Sequence, residues 1–320
     1  MNNYKKMPKI ELHLHLDGSL DIKKIQKKYK ISKKEIKNKM IADEKCQNLN
    51  DYLTKFDFPI SIMQTKEELE DAVINLLEKL KKQNVIYAEI RFAPQFHIKK
   101  GLTQDKVVEI VINASKNVDI KSNFILCIMR GKDNMDLNYE TLEVAKKYYG
   151  KGVCAVDLAG AEALYKTENY EEIFKKVVEY NILFTIHAGE ADGPESIETA
   201  IRFGAKRIGH GVRCIENEEL MNLIKTKNIT LEICPTSNIQ TCVYNNYKEH
   251  PIKQIYEKGI KVTINTDNMT VSNTDLANEY KKLEKYTGLT KKDFIEMNKN
   301  AINSAFISEE EKKELYKFMC

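Results

Sequence analysis

The sequence predicts a single (β/α)8 barrel with added helices, and three observations carry that reading. Eight short apolar runs each close on Gly, Asp, Asn or Pro, helical patterns separate them, and the polar groups able to do chemistry stand at the ends of those runs. Strands alternating with helices imply a parallel sheet, and eight such units close a barrel.

In chain order the strands are expected at 8–16, 85–93, 122–129, 152–158, 182–187, 206–209, 229–234 and 261–266. Between them, Leu69, Val73, Leu76, Leu77 and Leu80 recur at helical spacing, and Val107 to Val118, Tyr170 to Tyr180 and Glu218 to Lys225 read as amphipathic helices. About 70 residues separate the first two strands where a βα unit takes about 30, so a helical insertion at about 19–84 is expected to cap the barrel mouth. Asn273 to Tyr286, Lys291 to Ile302 and Glu309 to Phe318 predict a helical C-terminal tail. With no internal repeat and no Pro/Gly-rich linker, residues 1–320 read as one domain.

Composition removes several classes of function. Lys+Arg 51 against Asp+Glu 47 leaves a net charge of +4, with the signs interspersed, which does not favour a nucleic-acid or membrane surface as partner. Seven cysteines, an odd number with no CxxC pair, predict a reduced, cytoplasmic protein. No uncharged run approaches the ~18 residues of a membrane span, and Met1-Asn2-Asn3-Tyr4-Lys5-Lys6 lacks the apolar core of a secretion signal.

The chemistry lies in scattered histidines and acids. His13 and His15 are two apart on a strand, so both imidazoles face one side and can share one ion. A lone histidine there would read as an ordinary core side chain. His187 opens His-Ala-Gly-Glu, where Gly189 permits a sharp turn that returns Glu190 over the strand end. A carboxyl in a closed site tends to titrate high and suits a general acid, although a helix-start glutamate is the blander alternative. His210 stands between Gly209 and Gly211, and Asp267 ends the last strand. His13, His15, His187 and Asp267 thus form a candidate set for a metal such as zinc, one ion per chain, with Glu190 and His210 left to move protons; the chemistry implied is metal-assisted hydrolysis. His97 and His250 fall outside the pattern and are expected at the surface.

Pro8 to Ser19, Asp157-Leu158-Ala159-Gly160, His187-Ala188-Gly189-Glu190, Gly209-His210-Gly211, Cys234-Pro235-Thr236-Ser237-Asn238 and Asn265-Thr266-Asp267 resemble, in order and spacing, the successive motifs of the adenosine deaminase family. The resemblance covers nearly the whole chain. It implies hydrolysis of adenosine or 2′-deoxyadenosine to inosine or 2′-deoxyinosine plus ammonia, in purine salvage. Carried over by motif, His13, His15, His187 and Asp267 hold zinc, Glu190 protonates purine N1, and His210 and Asp267 orient the attacking hydroxide and accept its proton. Gly160 faces N3, His15 and Asp17 lie near the ribose 5′ end, and Leu49, Leu53 and Phe56 resemble the apolar lid over the ribose. Asp17 favours a nucleoside, since adenine-specific relatives typically carry Glu there. Where many relatives have two consecutive acids, this chain has Asp267-Asn268, so that an amide would donate to purine N7 in any protonation state.

Adenine or 5′-methylthioadenosine is the alternative substrate. A non-catalytic nucleoside-binding relative is a second alternative, disfavoured by the intact Glu190, and a binuclear amidohydrolase would need two metals per chain. The expected partner is a small nucleoside, and the chain is expected to be a monomer or weak homo-oligomer.

Overall fold

Parallel pairing organises the computed structural model, which describes residues 4–319. The strands are β1 (Lys9–His15), β2 (Val85–Phe92), β3 (Lys121–Met129), β4 (Val153–Ala159), β5 (Thr185–Ala188), β6 (Arg207–His210), β7 (Thr230–Ile233) and β8 (Lys261–Ile264). They form two four-stranded parallel sheets, β1-β2-β3-β4 and β5-β6-β7-β8. Single bridges close the two seams: Val156 pairs with Phe184 between β4 and β5, and Leu14 with Asp267 between β8 and β1. At the second seam, Asp267 N–H donates to His13 C=O at 2.9 Å and His15 N–H to Asp267 C=O at 2.8 Å. That closure carries three of the candidate site residues.

Strand alternation divides two interiors. Leu14, Ile90, Ile186, Ile208, Leu231 and Val262 face the surrounding helices and join the main apolar core. Glu11, His13, Glu89, Arg91, Asp157, Arg207 and Glu232 fill the inside of the barrel and are fully buried or nearly so. The outer helices include α6 (Gln104–Ser115), α7 (Met135–Tyr148), α8 (Glu171–Glu179), α9 (Pro194–Phe203) and α10 (Glu218–Thr226).

Five helices lie between β1 and β2: α1 (Ile22–Tyr29), α2 (Lys33–Met40), α3 (Leu49–Leu53), α4 (Asp57–Ile62) and α5 (Lys66–Lys82). Side chains of Asp21, Ser32, Asn48 and Thr65 cap α1, α2, α3 and α5, which is why those helices start where they do. A small cluster of Ala42, Cys46, Leu49, Tyr52 and Val271 packs the inserted segment onto the loop after β8. Backbone bonds fasten it there: Ala42 N–H donates to Val271 C=O, and Cys46 N–H to Gln240 C=O, both at 2.8 Å.

After β7 and β8 come α11 (Pro235–Gln240), α12 (Ile252–Glu257), α13 (Leu276–Thr287), α14 (Lys291–Ser304) and α15 (Glu309–Tyr316). The tail closes the far end of the barrel, where Asn298 Oδ1 accepts from Ile10 N–H at 2.9 Å and Ser304 C=O accepts from Arg207 at 2.9 Å. No helix among the described residues is long and apolar enough to cross a membrane. The described cysteines are free, with Cys242 exposed and the others buried; Cys320 lies outside the described residues.

Candidate active site

The C-terminal ends of β1, β5, β6 and β8 bring their polar residues to the floor of a cavity of about 580 Å³. One nitrogen or oxygen from each of His13, His187, His210 and Asp267 lies within 4.8 Å of the others. His15 belongs to the same cluster: its Nε2 is 3.3 Å from His187 Nε2 and 3.4 Å from Asp267 Oδ1. His210 and Asp267 both adopt left-handed backbone, with φ of 60° and 57°. Such strain in non-glycine residues gathers at functional sites, and at His210 it breaks the alternation that would send the ring outward with Ile208.

Carboxylates behind the cluster set its proton positions. His13 Nδ1 donates to Glu232 at 2.9 Å, and His187 Nδ1 lies 2.9 Å from Asp157 Oδ2. With hydrogens on Nδ1, both rings aim Nε2 lone pairs at the centre, and His13 Nε2 is buried there without a hydrogen-bond partner. Arg91 joins the two carboxylates, at 2.9 Å from Asp157 and 2.7 Å from Glu232, and Arg207 holds the other oxygen of Glu232 at 2.6 Å. Burial keeps His15, His187 and His210 below the ordinary histidine range and therefore neutral. Burial opposes ionisation of Asp267, but His13 and the other rings beside it hold its carboxyl well below the usual range. Neutral imidazoles with converging lone pairs and an ionised carboxylate are the donor set a divalent metal requires.

Glu190 is held differently. Glu162 accepts backbone N–H bonds from Gly189, Glu190, Ala191 and Asp192 at 2.7–3.1 Å and the Ser196 hydroxyl at 2.6 Å, fixing the loop after β5. Gly189 has φ 70°, and a Cβ there would stand 2.4 Å from Ile197 Cδ1, so a side chain at this turn would strain the backbone and displace Ile197. The Glu190 carboxyl accepts from Thr241 at 3.2 Å and lies 3.4 Å from His210 Nε2. Burial, reinforced by Asp267 and Glu162, pushes Glu190 well above the ordinary carboxyl range. That shift favours its neutral, proton-donating form.

The cavity walls include His15, Asp17, Gly160, Glu190, Asn268 and the expected lid side chains Leu49, Leu53 and Phe56. Burial raises Asp17 to about 6. Asn268 Nδ2 donates to Tyr52 OH at 3.0 Å, and that hydroxyl also pairs with Ser272 at 2.7 Å. Asn268 Oδ1 packs where a Cβ on Gly18 would stand, only 1.8 Å away, so glycine is required for this approach.

Two expectations are overturned: His97 and His250 are buried, not on the surface. His97 Nδ1 donates to Met63 C=O at 2.9 Å and its ring packs near Phe92, 6.2 Å between centroids. His250 joins the site through Asn238, as described below. Glu162, Tyr52, Arg91 and Glu232 were not singled out from the sequence. Charged residues at inward positions of otherwise apolar strands were the available signal for Arg91 and Glu232; Tyr52 sat unmarked among the lid apolar residues.

The profile of the adenosine deaminase family matches residues 8–319. An adenosine deaminase of Clostridium botulinum (strain 657 / Type Ba4) is 43% identical over 332 residues, covering 99% of this chain and 99% of that protein. An adenine deaminase from Arthrobacter aurescens superposes with a TM-score of 0.87 at 22% identity, covering 98% of each chain. An amidohydrolase from Burkholderia ambifaria with bound Zn gives a TM-score of 0.86 at 20% identity, over 99% of this chain and 90% of that one. At such identities the two structures bear on the fold alone.

Proposed function

This chain belongs to the adenosine deaminase family and is a hydrolase that deaminates adenosine; we propose how its residues do so. A zinc ion on His13, His15, His187 and Asp267 would supply the Lewis acidity that brings the pKa of water toward ~7. Glu190, whose burial favours the neutral form, donates its proton to purine N1, which makes C6 electrophilic without leaving negative charge on the ring. His210 and Asp267 orient the attacking water against C6 and accept its proton. Water oxygen bonds to C6, the exocyclic amine takes the proton removed from that water and leaves as ammonia from the tetrahedral adduct, and the C6 hydroxyl proton returns to Glu190 as the C6 carbonyl of inosine forms.

The remaining residues fix the substrate. Gly160 faces N3, and one N–H of Asn268 remains for N7 while the other goes to Tyr52. His15 and Asp17 meet the 5′ end, where an ionised Asp17 disfavours a phosphate, and Leu49, Leu53 and Phe56 cover the ribose. The observation that carries this reading is a buried Glu190 carboxyl 3.4 Å from His210 at the rim of three further imidazoles and Asp267. The test is ammonia release from adenosine, adenine, 5′-methylthioadenosine and AMP by zinc-loaded and chelator-stripped protein. Preference for adenosine that disappears on stripping is expected; preference for adenine would shift the assignment of Asp17, and activity indifferent to stripping would remove the metal.

A further inference from the structure

A hydrogen-bond chain of fixed polarity reaches the catalytic cluster through His250, Asn238 and His210. Its origin is unambiguous: the Ile252 backbone N–H can only donate, and it meets His250 Nδ1 at 3.2 Å. That nitrogen must offer a lone pair, so the neutral ring carries its hydrogen on Nε2. Burial pushes His250 down to about 3, which keeps the ring neutral. Nε2 lies 3.2 Å from Asn238 Oδ1, so the amide oxygen accepts and the amide orientation is fixed. Asn238 Nδ2 then faces His210 Nδ1 at 3.1 Å. An amide NH2 only donates, so His210 Nδ1 accepts and the hydrogen of His210 sits on Nε2.

This polarity is the reverse of that at His13 and His187, whose Nδ1 atoms face carboxylates at 2.9 Å and whose Nε2 atoms face the cluster. Proximity alone does not separate the rings, because His210 is as close to the cluster as the others. Proton position does. We propose that His250 and Asn238 are positioning residues that lock His210 in the Nε2–H tautomer. His210 is thereby excluded from the metal's ligand set, leaving that place to His15, and it donates a hydrogen bond to the attacking oxygen. The proton lost by the water goes to Asp267. This rests on the deaminase reading of the site and divides between His210 and Asp267 a task given to both above.

A histidine held in the wrong tautomer with its geometry intact costs up to ~10⁴ in kcat in triad hydrolases, so the arrangement has measurable consequences. The test begins with long-range ¹H–¹⁵N correlation spectra of ¹⁵N-histidine-labelled full-length protein, with and without zinc, assigned through single-histidine variants. His210 and His250 are expected to show protonated Nε2, and His13 and His187 protonated Nδ1. Asn238→Asp replaces the donor facing His210 with an acceptor. It should move the His210 hydrogen to Nδ1 and lower kcat for adenosine by about tenfold or more, with KM within about twofold. His250→Gln, whose amide can still donate to Asn238, should retain most of kcat, whereas His250→Leu should lose about as much as Asn238→Asp. Wild-type His210 protonated on Nδ1 overturns the proposal whatever the activity, and so does an Asn238→Asp protein with wild-type kcat. If wild-type protein fails to release ammonia from adenosine, the functional reading falls, while the spectrum still decides the tautomer.

Discussion

Glu190 and Asn268 face the same cavity with opposite dependence on protons. Glu190 acts only while protonated, and burial raises its pKa, so kcat/KM should fall as pH rises through that raised value, above the ordinary carboxyl range. Glu190→Gln keeps the shape and loses the acid: kcat should drop by about 10³-fold with bound metal unchanged. Near-normal turnover, or loss of metal in parallel with activity, would overturn the role. Asn268 donates in any state, whereas a carboxyl at that place would have to be protonated to reach N7. Asn268→Asp should therefore stay active but show a KM that rises with pH where the wild-type KM is flat. Matching KM–pH profiles for the two proteins would remove the contact with N7.

Loops acquire their precision from whole elements. The turn after β5 carries Glu190, and it is held by one carboxylate, Glu162, that collects four backbone N–H bonds and a hydroxyl. Glu162→Gln places NH2 among those donors. It should cost about 1–3 kcal/mol and lower kcat more than it raises KM, read by urea midpoint and steady-state kinetics; unchanged kcat would mean that the loop is held elsewhere. The strands themselves were legible because β-branched runs bounded by turn residues leave few alternatives, and seven of the eight expected spans agree within about two residues at each end. The exception is at 182–187, where the strand is confined to Thr185–Ala188 because Ile182 and Leu183 still belong to the approach from α8. His13, His15, Asp17, His187, Glu190, His210 and Asp267 were legible because a polar group ending an apolar strand has no bland purpose there. His250 was not: its side-chain partner Asn238 lies twelve residues earlier across a loop, and no periodicity marks a buried histidine in a loop.

At the scale of the molecule, the barrel interior is an ion network instead of an apolar plug. Glu89, Arg91, Asp157, Arg207 and Glu232 are buried together, and the same carboxylates that neutralise the arginines orient His13 and His187. Stability and metal affinity are therefore coupled through Arg91. Arg91→Met leaves Asp157 and Glu232 short of a countercharge, and should cost about 3–5 kcal/mol and weaken metal binding by about 10–100-fold. The pH dependence of stability has the corresponding sign. Burial opposes ionisation of Asp157 and Glu232, but His187 and Arg91 beside the first, and Arg91 and Arg207 beside the second, hold both well below their unfolded values. A carboxyl with a depressed folded-state pKa contributes stability above its unfolded pKa of ~4 and loses it as pH falls through the folded value. Glu11 works against this, because burial raises it to about 8 and its cost grows between pH ~4.5 and 8. Urea midpoints of chelator-stripped protein should thus fall steeply on the acid side, where the buried neutral histidines must also take up protons. Arg91→Met should flatten that acid limb, since the carboxylates then have less to lose; an acid limb as steep as that of the wild type would show that the network does not set it.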